Sequence, residues 1–210
     1  MPFSAARALR AMFTLCVSLA LLAACASSQL VQHQPNPEYV GKRFKKVLVI
    51  AATKDDLARR VFEDDAVTRL RARGVEGIPA YTLMPKPETV NEARLKELVV
   101  KSGADGVLMS RVGAVEQASY TRPGYTAAVG MGYGTMYSYY TVMWSTVTVP
   151  PETTTGAMTV ISETRLFDAR NGAVAWSGTM TSTDRGASLD RVLQQYTGLV
   201  FEAMAKDGVL

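Results

Sequence analysis

Four consecutive apolar residues, Val47, Leu48, Val49 and Ile50, lie within residues 45–51 and set the tightest limit on the fold. Side chains alternate sides along a strand, so an unbroken apolar run needs cover on both faces. Such a strand belongs in the middle of a sheet with helices packed over it. Helix signals follow at once. Thr53 offers an N-cap oxygen, Asp55 and Asp56 place carboxylates in a first turn, and Ala58, Phe62, Ala66 and Leu70 repeat every four residues before Gly74. A short strand is expected at 77–83, interrupted by Pro85 and Pro87. Thr89 and Glu92 have capping-box spacing ahead of Leu95, Leu98 and Val99, and this second helix should stop near Gly103. A strand at 107–115 completes β-α-β-α-β, the pattern of an α/β sheet.

The second half changes character. Residues 141–149 and 158–167 are strand-like, and Asn171-Gly172 is a two-residue hairpin signal leading into 173–181. On that last strand Val174, Trp176, Gly178 and Met180 share one face, as in a half-buried antiparallel strand. Helical spacing of Leu189, Val192, Leu193, Tyr196, Leu199, Val200, Ala203 and Met204 predicts a C-terminal helix docked on the sheet. The expected fold class is therefore α/β with a mixed sheet.

At the N-terminus, Arg7 and Arg10 precede an apolar run at 12–22 that ends in Leu22-Ala23-Ala24-Cys25. This is the anatomy of a secretory signal closed by a lipobox. Cleavage before Cys25 makes residues 1–24 the signal peptide and leaves a cysteine to carry acyl chains such as palmitate. The alternatives are an ordinary signal cleaved nearby or an uncleaved anchor. After Cys25 no stretch approaches the roughly 20 apolar residues of a membrane-spanning helix. Ala26 stands where an inner-membrane retention signal would have Asp, so the expected location is the periplasmic face of a bacterial outer membrane, with the membrane contacted through the N-terminal lipid. Residues 25–42, with Ser27, Ser28, three Gln, two Pro and Asn36 and little apolar periodicity, read as the lipidated Cys and a flexible tether. Residues 43–210 read as one periplasmic domain.

Loss of Arg7 and Arg10 lowers the 23 basic residues to 21 against 19 acidic, so the mature chain is nearly neutral. No basic run or stripe points to nucleic acid. Cys16 leaves with the signal, Cys25 takes lipid, and the sole histidine, His33, falls in the expected tether. A Ser/His/Asp triad, a Cys/His pair and a His-rich zinc site each lack their central residue. The reading is non-enzymatic, with no cofactor and no metal.

One segment is unusual. Residues 120–140 form a Gly/Tyr-rich insertion holding Tyr120, Tyr125, Tyr133, Tyr137, Tyr139 and Tyr140, and no charge occurs between Arg122 and Glu152. Tyrosine offers apolar area with a polar tip and glycine permits close approach, which suits a contact surface for an envelope protein, a second copy or lipid headgroups. The plainer account is an insertion whose rings cover the sheet edge. Glu63, Asp64 and Asp65 diverge by about 100° each along a helix and read as a solvated face. Glu163 and Arg165 read as an exposed, weak charge pair. Trp144 and Trp176 read as core aromatics, with a ligand pocket around either as the alternative.

Residues 45–52, Phe62-Glu63-Asp64, the helix end Leu70-Arg71-Ala72-Arg73-Gly74-Val75, residues 81–85, Ser102-Gly103-Ala104-Asp105-Gly106, and Phe167-Asp168 through Trp176 together resemble a known group. This group is the small bacterial outer-membrane lipoproteins of unknown function, similar to the curli secretion lipoprotein and to the N-terminal domain of the Tol translocation β-propeller protein. The resemblance covers about 44–208 and implies an α/β fold, an envelope location and action by assembly, without catalytic residues. The expected function is an interaction or assembly module; a small-ligand-binding lipoprotein or a subunit of an oligomeric secretion assembly is the alternative. Cys25→Ser should abolish lipid labelling in cells and move the chain from the sedimented membranes to the supernatant; undiminished labelling would end the lipoprotein reading.

Overall fold

The computed structural model describes residues 27–86, 92–117, 135–136, 139, 158–184 and 188–210. Among the described residues six strands form one mixed sheet: β1 (Ser27–Pro35), β2 (Lys46–Ala52), β3 (Glu76–Pro79), β4 (Gly106–Gln117), β5 (Met158–Asp168) and β6 (Val174–Asp184), in the order β1-β6-β5-β4-β2-β3. Helices α1 (Asp56–Arg71), α2 (Glu92–Ser102) and α3 (Leu189–Lys206) pack against it. β2 pairs in parallel with β3 and β4, and every other pairing is antiparallel. Among the described residues no helix is long and apolar enough to cross a membrane.

The β2 run sits inside the sheet, as its composition requires. Val47, Val49 and Ala51 point into a core with Phe62, Ala66 and Leu70 of α1 and with Val200, Phe201 and Met204 of α3. Leu48, Ile50 and Ala52 point the other way, against Leu95, Leu98 and Val99 of α2. Two details of the connections differ from expectation. Asp55, not Thr53, caps α1, its carboxylate accepting from the Leu57 and Ala58 amides at 2.9 and 3.1 Å. The β5–β6 turn closes over residues 169–172, twice the expected two-residue hairpin length, with Gly172 at φ 71° and its N–H on the Asp168 carbonyl. Thr89, Trp144 and the expected strand at 141–149 lie outside the described residues.

The expected tether is corrected: Ser27–Pro35 is an edge strand paired along β6 from Ser27↔Thr183 to Pro35↔Trp176. A bulge between Leu30 and Gln32 leaves Val31 unpaired and 62% exposed, while Leu30 packs on the α1/α3 core. His33 therefore belongs to the domain. Its Nδ1 lies 2.6 Å from an Asp207 carboxylate oxygen that also accepts the Trp176 indole N–H at 2.7 Å. Trp176 is fully buried, its ring lying along the strand over Gly178, where a Cβ would meet the indole at 2.3 Å. Only glycine fits there.

The insertion is likewise more than surface. Met136 is completely buried in the α2-side core, and its N–H bonds the Gly172 carbonyl at 2.8 Å. Met136→Ala should therefore lower the unfolding free energy by about 2–5 kcal/mol, the usual range for truncating a buried Met, as read by denaturant titration. Stability equal to wild type would remove Met136 from the core.

Candidate functional site

Helix α1 brings its charged residues to three separate places. Arg59 and Glu63, one turn apart, lie on the buried side of the helix, 1% and 0% exposed. Glu63 Oε1 accepts from the Ala51 N–H at 3.1 Å and from Arg59 Nε at 3.2 Å; Oε2 accepts from the Tyr81 N–H at 2.9 Å. Arg59 Nη2 donates to the Met84 carbonyl at 2.7 Å. This one carboxylate joins α1, the end of β2 and the turn after β3. Burial pushes its pKa up from the ordinary carboxylate value, opposed by the two backbone N–H groups and by Arg59. Asp64 accepts from the Tyr81 hydroxyl at 2.6 Å, and Asp65 from Arg69 at 2.8 Å. The three acids diverge as the helix geometry requires, but Glu63 is an internal fastener and not part of a solvated face. Its signal in the sequence was position, since 59 and 63 run along the same side as Ala66 and Leu70.

A second ionic group lies beyond β2. Glu163 on β5 accepts from Arg111 Nε at 3.0 Å and from Arg165 Nε at 2.6 Å, all three side chains being buried or nearly so. The expected exposed pair is thus a buried triad. Tyr139 covers it, with the Arg165 guanidinium 4.4 Å from the ring centroid, and stacks obliquely on Phe167 at 5.4 Å. At 6% exposure Tyr139 is a core residue and is corrected from the expected contact surface. Tyr120, Tyr125, Tyr133, Tyr137 and Tyr140 lie outside the described residues, as does Cys25.

The opposite face of the sheet carries the concave feature. Between α1 and α3, at the end of the sheet where β2 and β6 finish and β1 begins, is a cavity of about 230 Å³. Ala51, Ala58, Phe62, Val160, Val192 and Leu193 supply apolar walls. Its hydroxyls bond to one another and to neighbours: Tyr196 Oη lies 2.8 Å from Ser110 Oγ and 2.5 Å from Thr164 Oγ1, and Ser182 Oγ lies 2.8 Å from Ser28 Oγ on β1. Burial pushes the Tyr196 hydroxyl pKa up from its ordinary value, so it stays protonated and can donate within this cluster. The cavity is not formed around Trp176, which packs elsewhere in the same core. Sequence periodicity marks Phe62 and Tyr196 as inward-facing, but it cannot show that α1 and α3 part at one end. Among the described residues no group of three His, Cys, Asp or Glu could hold a metal ion.

No family model matches the chain, and no curated protein does. Solved structures do. The PelC dodecamer from Paraburkholderia phytofirmans is 21% identical, covering 88% of this chain and 99% of that one at a TM-score of 0.44. Lipoprotein GNA1162 from Neisseria meningitidis is 19% identical, with 77% and 99% covered and a TM-score of 0.39. Protein XCC0632 from Xanthomonas campestris is 14% identical, with 85% and 93% covered and a TM-score of 0.30. At these levels the neighbours say nothing of what this chain binds.

Removing the cation from the α1 pair tests its role. Arg59→Met leaves Glu63 buried without a cation, which costs about 3–5 kcal/mol near pH 7. The folded-state pKa of Glu63 then rises further above its unfolded value, so stability from this group is greatest below the unfolded pKa and is lost as pH rises through the folded one. Denaturation at pH 7 and pH 5 should show a smaller deficit relative to wild type at pH 5. A deficit that is flat or larger at pH 5 would contradict the assignment.

Proposed function

We propose that this chain is a lipid-anchored envelope protein that performs no chemistry of its own and acts as an interaction or assembly module at the periplasmic face of the outer membrane. The observation that supports this reading is the start of β1 at Ser27, two residues after the lipobox cysteine. A chain spans at most about 3.5 Å per residue, so an anchor on Cys25 could stand no more than about 7 Å from the first residue of β1. Acyl chains contribute about 0.8 kcal/mol per buried CH₂, which holds such a domain against the headgroups. A protein built this way presents its surfaces to partners in the plane of the membrane. Tyr120, and Tyr125, Tyr133, Tyr137 and Tyr140 in the uncharged stretch between Arg122 and Glu152, are the proposed contact residues, and an envelope protein or a second copy is the proposed partner. The cavity between α1 and α3 supports the second reading, a protein that binds a small apolar ligand.

Inserting a Gly/Ser linker of about 20 residues between Ala26 and Ser27 would lengthen the reach to roughly 25 Å. The melting temperature should stay the same. Photo-crosslinks from residues 120, 125, 133, 137 and 140 to a discrete partner or a second copy should form in the native chain and weaken severalfold with the linker. No discrete crosslinked species in either form would sink the interaction reading.

A further inference from the structure

We propose that the cavity between α1 and α3 takes the end of an acyl chain carried on Cys25 of the same molecule. This rests on the lipid-anchor reading above and adds a place for part of the lipid inside the domain. Position comes first. Ser182 lines the cavity and bonds Ser28, so the second residue of β1 stands at its edge. Cys25 is three residues before Ser28 and no more than about 10 Å away along an extended chain. An acyl chain spans half of the roughly 30 Å hydrocarbon core, about 15 Å, so it covers that distance with length to spare.

Chemistry selects the same occupant. The walls are mainly Ala, Val, Leu and Phe side chains with the Tyr196 ring; of the polar residues that also line it, Thr53, Ser110, Arg111, Ser182 and Tyr196 already have partners, and Ser162 adds one hydroxyl. A ligand there meets little unmet hydrogen bonding, which favours hydrocarbon over a polar metabolite. Size agrees, since an apolar cavity of about 150 Å³ takes benzene and this one is about 230 Å³. The first turns of the two helices that flank it expose Leu57, 62% accessible, and Leu189, 41% accessible. Exposed leucines beside the polar Lys54, Asp55 and Asp56 suit an end of the domain that meets the lipid–water boundary.

The test uses the full chain made in cells fed palmitic acid with a diazirine at its far end. Intact mass of the purified protein reports acylation by itself: an unacylated chain overturns both the anchor reading and this proposal. For an acylated chain, irradiation and peptide mapping should place crosslinks on Phe62, Val192, Leu193 or Tyr196. Crosslinks confined to detergent, or to residues away from the cavity, overturn the proposal and leave the anchor reading standing. Ala58→Leu, which narrows the cavity, should reduce those crosslinks about tenfold while acylation stays the same; an unchanged yield in the folded variant overturns it. The source is decided with Cys25→Ser and vesicles of phosphatidylethanolamine and phosphatidylglycerol bearing the same diazirine chain. No crosslinks in the cavity are expected, and their presence would assign the site to bilayer lipid instead.

Discussion

The architecture follows from one strand that has to be covered on both sides. Val47 through Ala52 alternate between two cores, and all six residues are buried. Burying apolar surface contributes roughly 25 cal/mol per Å², and neither core alone would shield this strand. α1 and α3 serve one face, while α2, Met136 and Tyr139 serve the other. The C-terminal helix packs against α1 and extends that core over β1 and β6.

Polar groups inside these cores act as fasteners between elements that apolar contact alone would let slide. Glu63 ties α1 to β2 and to the turn after β3 through two backbone N–H groups, directions that a hydrophobic contact does not specify. Glu163 joins β4 to β5 across the sheet through Arg111 while gripping Arg165 on its own strand. The Ser110, Thr164 and Tyr196 hydroxyls do the same between sheet and α3. Asp207, at the end of α3, holds both Trp176 on β6 and His33 on β1. The last turn of the chain thus fixes its first strand.

That closure gives the domain a defined end. β1, the edge strand, begins beside the finish of β6 and at the rim of the cavity between α1 and α3. A bulge at Val31 and a row of exposed polar side chains from Gln32 to Gln34 mark this edge, features that discourage uncontrolled pairing with another sheet.

The sequence by itself determined the elements whose signal is local. The buried run of β2, the four-residue repeat of α1, the spacing of α2 and α3, and the switch to antiparallel strands after β4 are all written in neighbouring residues. So is the lipobox. Tertiary structure decided what depends on distant partners. β1 has no clean alternation because an edge strand is held mostly by main-chain hydrogen bonds to β6, and these are indifferent to side-chain identity. Glu63 and Glu163 look like surface charges until the groups that desolvate and satisfy them arrive from β2, the turn after β3, and β4. Met136 and Tyr139 sit in a composition that suggests an exposed surface, yet the hairpin at Gly172 and the ring of Phe167 bring both into the core. The cavity is the extreme case, since it is a gap between helices separated by more than a hundred residues, and no local pattern encodes a gap.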